Sequence, residues 1–119
     1  MNIYDKAMWQ IDAGVSKEKA VEHFVLVFEW LAERELLSRD GKEMIEIGID
    51  ESISLNEGMV NEQGNAFLSK YYDKIISESN YDINVEKKLF DSYYSEFNSW
   101  LSFLRMRCPE NIPLHTVWL

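Results

Sequence analysis

From Ala20 to Ala32 the chain is apolar around more than half the circumference of a helix. Ala20, Phe24, Val27, Phe28 and Leu31 recur at helical spacing, and Val21, Val25, Leu26, Trp30 and Ala32 widen the stripe. A surface helix buries one stripe, whereas a helix apolar over most of its surface has to be surrounded by other elements. This segment, with Ser16 as its N-cap and an end near Leu37, therefore belongs at the centre of a bundle. The chain has 119 residues, one domain's worth, so residues 1–119 are read as a single helical domain. At 46% hydrophobic and 13% aromatic, with five Gly and two Pro, it is far too apolar for a disordered acidic chain.

The other segments supply the neighbours such a helix needs. Residues 3–12 read as a short helix with Ile3, Ala7, Met8 and Ile11 on one face, ended by Gly14. Ser38 is placed to cap a further helix through the amides of Asp40 or Gly41, and Asp40 suits the positive end of its dipole. The stretch after it reads two ways. Ile45, Ile47 and Ile49 alternate with polar or small residues, as in a strand, while Met44, Ile45, Gly48 and Ile49 also form a helical stripe. A lone strand is unstable and no partner strand is evident, which favours helix. Residues 50–60 read as a connector. Met59-Val60-Asn61-Glu62-Gln63-Gly64 then repeats the grammar of Leu36-Leu37-Ser38-Arg39-Asp40-Gly41: two apolar residues, a cap, two residues and a glycine. Two copies are too few for a solenoid, so the echo marks two helices entering one core in the same way, each with a small residue that lets a neighbour approach. Long periodic segments follow at Asn61–Ser79 and Asn84–Arg107, separated by a turn at Asn80-Tyr81-Asp82 and closed by Pro109. The fold class is all-α: a compact helical bundle of four to five helices, with residues 44–50 as the place where a short strand could form.

The charge is concentrated. Ten of the 21 acidic residues fall between Glu29 and Glu62 among only three bases, giving that window −7 of the chain's −9. Such a field repels nucleic acid and anionic membrane and attracts basic partners. Glu43, Glu46, Asp50, Glu51 and Glu57 are the candidate partner-binding carboxylates. The bland alternative is a solvated acidic face. Nucleic-acid binding is disfavoured because it draws on clustered Lys and Arg, and the densest bases are Lys87-Lys88 and Arg105 with Arg107. Trp9, Trp118 and Tyr4, near the ends, become interface anchors if exposed.

Chemistry-bearing motifs are sparse. His23 and His115, with Cys108, do not form a zinc set, and no metal or cofactor is expected. Cys108 and His115 lack a third group to orient a catalytic pair. His23, on the central helix, is expected to be a boundary residue between core and surface, bonded to a neighbour. The five glycines are isolated, so no phosphate loop is present. The aromatic stripe from Tyr93 to Trp100 reads as core before ligand pocket. The chain is not expected to be an enzyme. A single cysteine, a first segment without the pattern of a signal peptide, and a densest apolar run of only eight residues, Phe24 to Leu31, point to the cytoplasm and away from the membrane.

The run Phe28-Glu29-Trp30-Leu31-Ala32-Glu33-Arg34-Glu35-Leu36-Leu37-Ser38-Arg39-Asp40-Gly41-Lys42-Glu43, with its echo at Asn61-Glu62-Gln63-Gly64-Asn65-Ala66-Phe67-Leu68, resembles small acidic bacterial proteins, some of which act as immunity proteins in polymorphic toxin systems. The resemblance spans roughly residues 20–76 and carries no functional motif. It implies a cytoplasmic binder that neutralises a toxin, often a basic nuclease, by covering its active site. The alternatives are a small helical enzyme or ligand-binding domain with a pocket between aromatic helices, and a self-associating structural module, a homo-oligomer, that uses the Trp118-Leu119 tail.

Overall fold

The computed structural model describes residues 2–80 and 82–107, with side chains as far as Ser102. Strand β1 (Ile3–Lys6) runs directly into helix α1 (Ala7–Asp12), followed by α2 (Lys17–Glu33) and α3 (Arg39–Ile47). Strand β2 (Ser54–Asn56), a 3₁₀ turn (Glu57–Met59), α4 (Glu62–Ser79) and α5 (Ile83–Arg107) complete the fold. The architecture is a compact helical bundle carrying a two-stranded antiparallel sheet, in which Ile3 pairs with Asn56, Asp5 with Leu55 and Lys6 with Ser54.

Helix α2 is the central element. Ala20, Phe24, Val27, Phe28 and Leu31 are fully buried, and Val21, Val25, Leu26 and Ala32 are half-buried around them. Ser16 caps it by accepting the Lys19 amide. It ends at Glu33, four residues before the expected Leu37. Glu35 takes a left-handed backbone (φ 57°), which turns the chain so that Leu36 and Leu37 leave the helix and enter the core extended.

That turn brings the starts of α3 and α4 together. Leu37 bridges Val60 in antiparallel fashion. The Ser38 amide donates to the Met59 carbonyl (3.0 Å), and the Asn61 amide donates to the Leu36 carbonyl (2.9 Å). Each cap side chain serves both sides. Ser38 Oγ accepts the Gly41 amide and donates to the Gly58 carbonyl (2.6 Å), while Asn61 Oδ1 accepts the Gly64 amide and its Nδ2 donates to the Glu35 carbonyl (2.8 Å). The sequence echo is thus an approximate two-fold relation in which each helix start is fastened to the residues that precede the other. Its glycines are required by close approach: a Cβ on Gly41 would overlap the Met59 carbonyl oxygen, and one on Gly64 would stand 2.6 Å from that of Leu36.

Two sequence expectations are corrected. Residues 3–12 are not one helix, since Ile3–Lys6 form β1 and only Ala7–Asp12 are helical. The buried side is Asp5, Ala7 and Gln10, while Ile3 and Met8 are exposed. Backbone pairing with β2, about 50 residues away, overrides the local apolar spacing. Of the two readings of residues 44–50, the favoured one, helix, holds through Ile47, where Gly48 at φ 107° ends it; the second correction concerns the stretch after it. The strand that does form, β2, lies within the stretch read as a connector, where β1 gives it a partner.

Helices α4 and α5 pack through their rings. Phe67 lies 5.3 Å from Trp30, 5.5 Å from Phe97 and 5.5 Å from Tyr94, and Tyr71 stacks on Tyr93 at 5.2 Å. The aromatic stripe of α5 fills space against other rings, which is core packing. At its edge, Trp30 Nε1 donates to Asp91 (2.8 Å), and Arg34 binds the same carboxylate while lying 4.1 Å over the Trp30 ring.

Candidate functional site

The five acidic residues picked from the sequence occupy one continuous stretch of chain. Glu43 and Glu46 project from successive turns of α3, Asp50 and Glu51 lie in the turn after it, and Glu57 opens the 3₁₀ turn that packs beside α3. All are exposed except Glu51, which is half-buried. Glu51 pairs with Lys17 at the start of α2 (3.3 Å), and Glu43 pairs with Arg39 one turn back (3.6 Å). Asp50 accepts both the amide and the hydroxyl of Ser52 (2.9 and 2.5 Å), and these bonds hold its carboxyl below the usual carboxylate range. Glu51 is also shifted down, by its own backbone amide and then by Lys17. Glu46 and Glu57 form no ion pair among the described residues. These carboxylates are therefore solvated anions, with none enclosed in an apolar pocket of the kind a general acid uses.

What the sequence reading missed is the apolar content of the same helix. Of the nine residues of α3 only Gly41 is buried, and Met44 is half-buried. Ile45 is 36% exposed, and Ile47, at 76%, stands almost free in solvent. Ile47 follows Glu43 by four residues and so shares the outward side of α3 with Glu43 and Glu46, whereas Ile45, two residues from Ile47, lies on the other side of the helix, next to half-buried Met44.

A second polar cluster lies inside the bundle. His23, expected at a boundary, is 4% exposed, and Glu86 on α5 is fully buried. His23 Nδ1 is 2.6 Å from Glu86 Oε2, and Nε2 is 3.0 Å from the Tyr72 hydroxyl. Tyr72 donates to Asp5 Oδ2 (2.6 Å), which also accepts Gln10 Nε2 (2.7 Å), while Asp5 Oδ1 accepts the Lys6 amide. Because the Tyr72 proton is committed to Asp5, His23 Nε2 must donate to the Tyr72 oxygen. Ser79 closes the far end, 3.3 Å from Glu86 Oε1. The chain of bonds ties β1 and α1 to α2, α4 and α5.

His23 and Ser79 also form part of the floor of a surface cleft of about 540 Å³, with Lys19, Glu22, Glu78 and Asp82 among its walls. Both nitrogens of His23 and the Ser79 hydroxyl are bonded inward, so this floor offers neither a free base nor a free nucleophile. The network is a fastener of the fold: buried polar groups that are mutually satisfied specify which helices meet. Gln10 Oε1 is buried without a partner among the described residues. Glu86 and His23 had a sequence signal, since each lies on the apolar stripe of its helix. Asp5 had none.

Among the described residues no group of three or more His, Cys, Asp or Glu is arranged to hold a metal, and no helix is long and apolar enough to cross a membrane. Cys108, His115 and Trp118 lie outside the described residues, as does the tail considered for self-association. Tyr4 is half-buried, with its hydroxyl on Asn65 Oδ1 (2.6 Å), whereas Trp9 is 49% exposed. Comparison of the chain with protein-family models, curated proteins and solved structures found no match.

Proposed function

We propose that this chain is an acidic protein-binding module of the immunity or inhibitor class, a cytoplasmic protein that neutralises a basic partner such as a toxin by covering its working surface. The observation that carries this reading is the outward face of α3, where Ile47 stands 76% exposed on the same side as Glu43 and Glu46, with Asp50, Glu51 and Glu57 following. A face built only for solvation accounts for the carboxylates and leaves a 76% exposed isoleucine unexplained. A docking face accounts for both. Carboxylates draw a basic partner in and raise the association rate, while desolvated apolar side chains slow its departure. The resemblance of residues 20–76 to small acidic bacterial proteins, some of which act as immunity proteins, is in keeping with it.

The test is growth rescue. The product of the neighbouring gene is expressed in a bacterium with and without this chain. A toxic product whose effect is relieved by the chain supports the reading. A product that is not toxic, or is toxic and not relieved, removes its main support.

A further inference from the structure

Helix α3 is fastened at one end. At its start the Ser38 hydroxyl accepts the Gly41 amide and donates to the Gly58 carbonyl, and Gly41 seats against Met59. Beyond Gly41 no residue of the helix is buried, and Met44 is half-buried. A nine-residue helix is too short to be stable by itself. Its far half therefore depends on interactions along its own surface.

Those interactions run the wrong way. A helix favours acids in its first turn and bases in its last, because free amides leave positive charge at the start and free carbonyls leave negative charge at the end. Asp40 obeys this. The other charges invert it: Arg39 and Lys42 lie in the first half, Glu43 and Glu46 in the second, and the last turn holds no base. The Arg39–Glu43 pair (3.6 Å) has the base before the acid, the weaker order along a helix. Asp50 places a third carboxylate just beyond the end, where Gly48 donates its amide to the Met44 carbonyl (3.0 Å). Helix α4 also ends on a carboxylate, Glu78, but there the Tyr93 hydroxyl donates to it, and Ile75 and Ser79 anchor the end in the core.

The charge that corrects such an order is a cation's. We propose that the second half of α3, Glu43–Ile47, is a charge-controlled element, loosely held in the free chain and tightened when a lysine or arginine of a basic partner meets Glu43 and Glu46 at the negative end of the helix. Ile47, on the same side, is covered in the same step. This rests on the reading of α3 as the docking face and adds what docking does to it. The acids that attract the partner also weaken the helix that carries them, and binding removes the weakness.

Amide hydrogen exchange of the whole free chain, followed residue by residue by NMR, tests the charge control without any partner. The Ile47 and Gly48 amides should exchange faster than those in the last turn of α4. Glu46→Gln should slow them about threefold and Glu46→Lys more, while Asp40→Asn, at the positive end, should speed them. The opposite signs are decisive, because simple relief of the chain's net −9 would slow exchange in all three variants. Exchange within α2 and α4 should stay as in wild type, which shows that each variant is folded. Oligolysine added at low salt supplies the cation: it should slow exchange at Ile47 and Gly48 in wild type, and do so less when Glu43→Gln and Glu46→Gln are combined. Wild-type Ile47 and Gly48 amides protected as well as the last turn of α4 overturn the proposal. So do Glu46 variants that fail to slow exchange, or an Asp40→Asn variant that fails to speed it. An oligolysine that leaves wild-type exchange unchanged, or slows it equally in the doubly substituted chain, overturns the tightening by a cation. A neighbouring gene's product that proves harmless removes the immunity reading and leaves these results standing.

Discussion

Replacing Gly64 or Gly41 by alanine should reverse the sign that helix propensity alone dictates. Both glycines sit in the first turn of a helix, where alanine is ordinarily better by about 0.5–1 kcal/mol. Here a Cβ on Gly64 meets the Leu36 carbonyl oxygen at 2.6 Å and Val60 Cβ at 3.0 Å, against ordinary contacts of 3.4 Å or more. Backbone must therefore retreat by about 0.8 Å, the difference between those two distances to oxygen. The oxygen that has to move is the one accepting the Asn61 amide. Overpacking costs about 1–3 kcal/mol and a weakened buried hydrogen bond about 1 kcal/mol more. After the gain in propensity, Gly64→Ala should lose about 2 kcal/mol. Gly41→Ala should lose more, because its Cβ overlaps the Met59 carbonyl outright and that oxygen accepts the Ser38 amide. Urea unfolding followed by circular dichroism reads this directly. With a slope of about 1–3 kcal/mol per molar, the midpoint should fall by roughly 1 M. An unchanged or higher midpoint in both variants would refute the close approach, and with it the two-fold relation between the starts of α3 and α4.

Other consequences can be checked in the same way. Glu86→Ala leaves His23 Nδ1 without its buried partner, while Ser79 keeps its bond to the Ile76 carbonyl, and should cost about 3–5 kcal/mol, whereas a loss under about 1 kcal/mol would mean the network is not closed. Tyr4 and Tyr71 are shifted above the ordinary tyrosine value chiefly by burial, and Tyr93 chiefly by its bond to Glu78. A raised folded value means that the stability contributed is complete below the unfolded value, near 10. It is lost as pH rises through the folded value, so absorbance at 295 nm should show these three ionising late, with unfolding in the same range. Asp50 is shifted in the other direction by Ser52, so its contribution is present above the unfolded value and lost only as pH falls through the lower folded one. Ser52→Ala should return the Asp50 carboxyl signal in an NMR titration toward the ordinary carboxylate range, and an unmoved midpoint would contradict the assigned cause.

The parts of the fold that were legible share one property, which is that their causes are local. The apolar stripes of α2, α4 and α5 repeat every three or four residues, and the caps at Ser16, Ser38 and Asn61 act within a single turn. The illegible parts depend on partners distant in sequence. Nothing in Ile3-Tyr4-Asp5-Lys6 marks it as a strand until Ser54-Leu55-Asn56 lies beside it. Conversely, Ile45, Ile47 and Ile49 alternate like a strand, yet the Ser38 cap and the seat of Gly41 against Met59 start a helix through Ile47, and no sheet edge pairs with it. The acidic face was visible as composition, but the exposure of Ile47 was not, because apolar residues in an ambiguous segment are read as core by default. Glu86 continues the stripe of Phe90, Phe97 and Leu101 one turn further back. A carboxylate at such a position signals a buried partner, and His23, on the equivalent stripe of α2, is that partner.

The account rests most on the acidic face of α3, and association kinetics with the neighbouring gene's product, the partner proposed above, test it most directly. The association rate should fall steeply with added salt for the wild-type chain. With Glu43, Glu46, Asp50, Glu51 and Glu57 replaced by their amides, it should be slow at low salt and nearly independent of salt. Equal rates and equal salt dependence for the two proteins would contradict the claim that this face receives the partner.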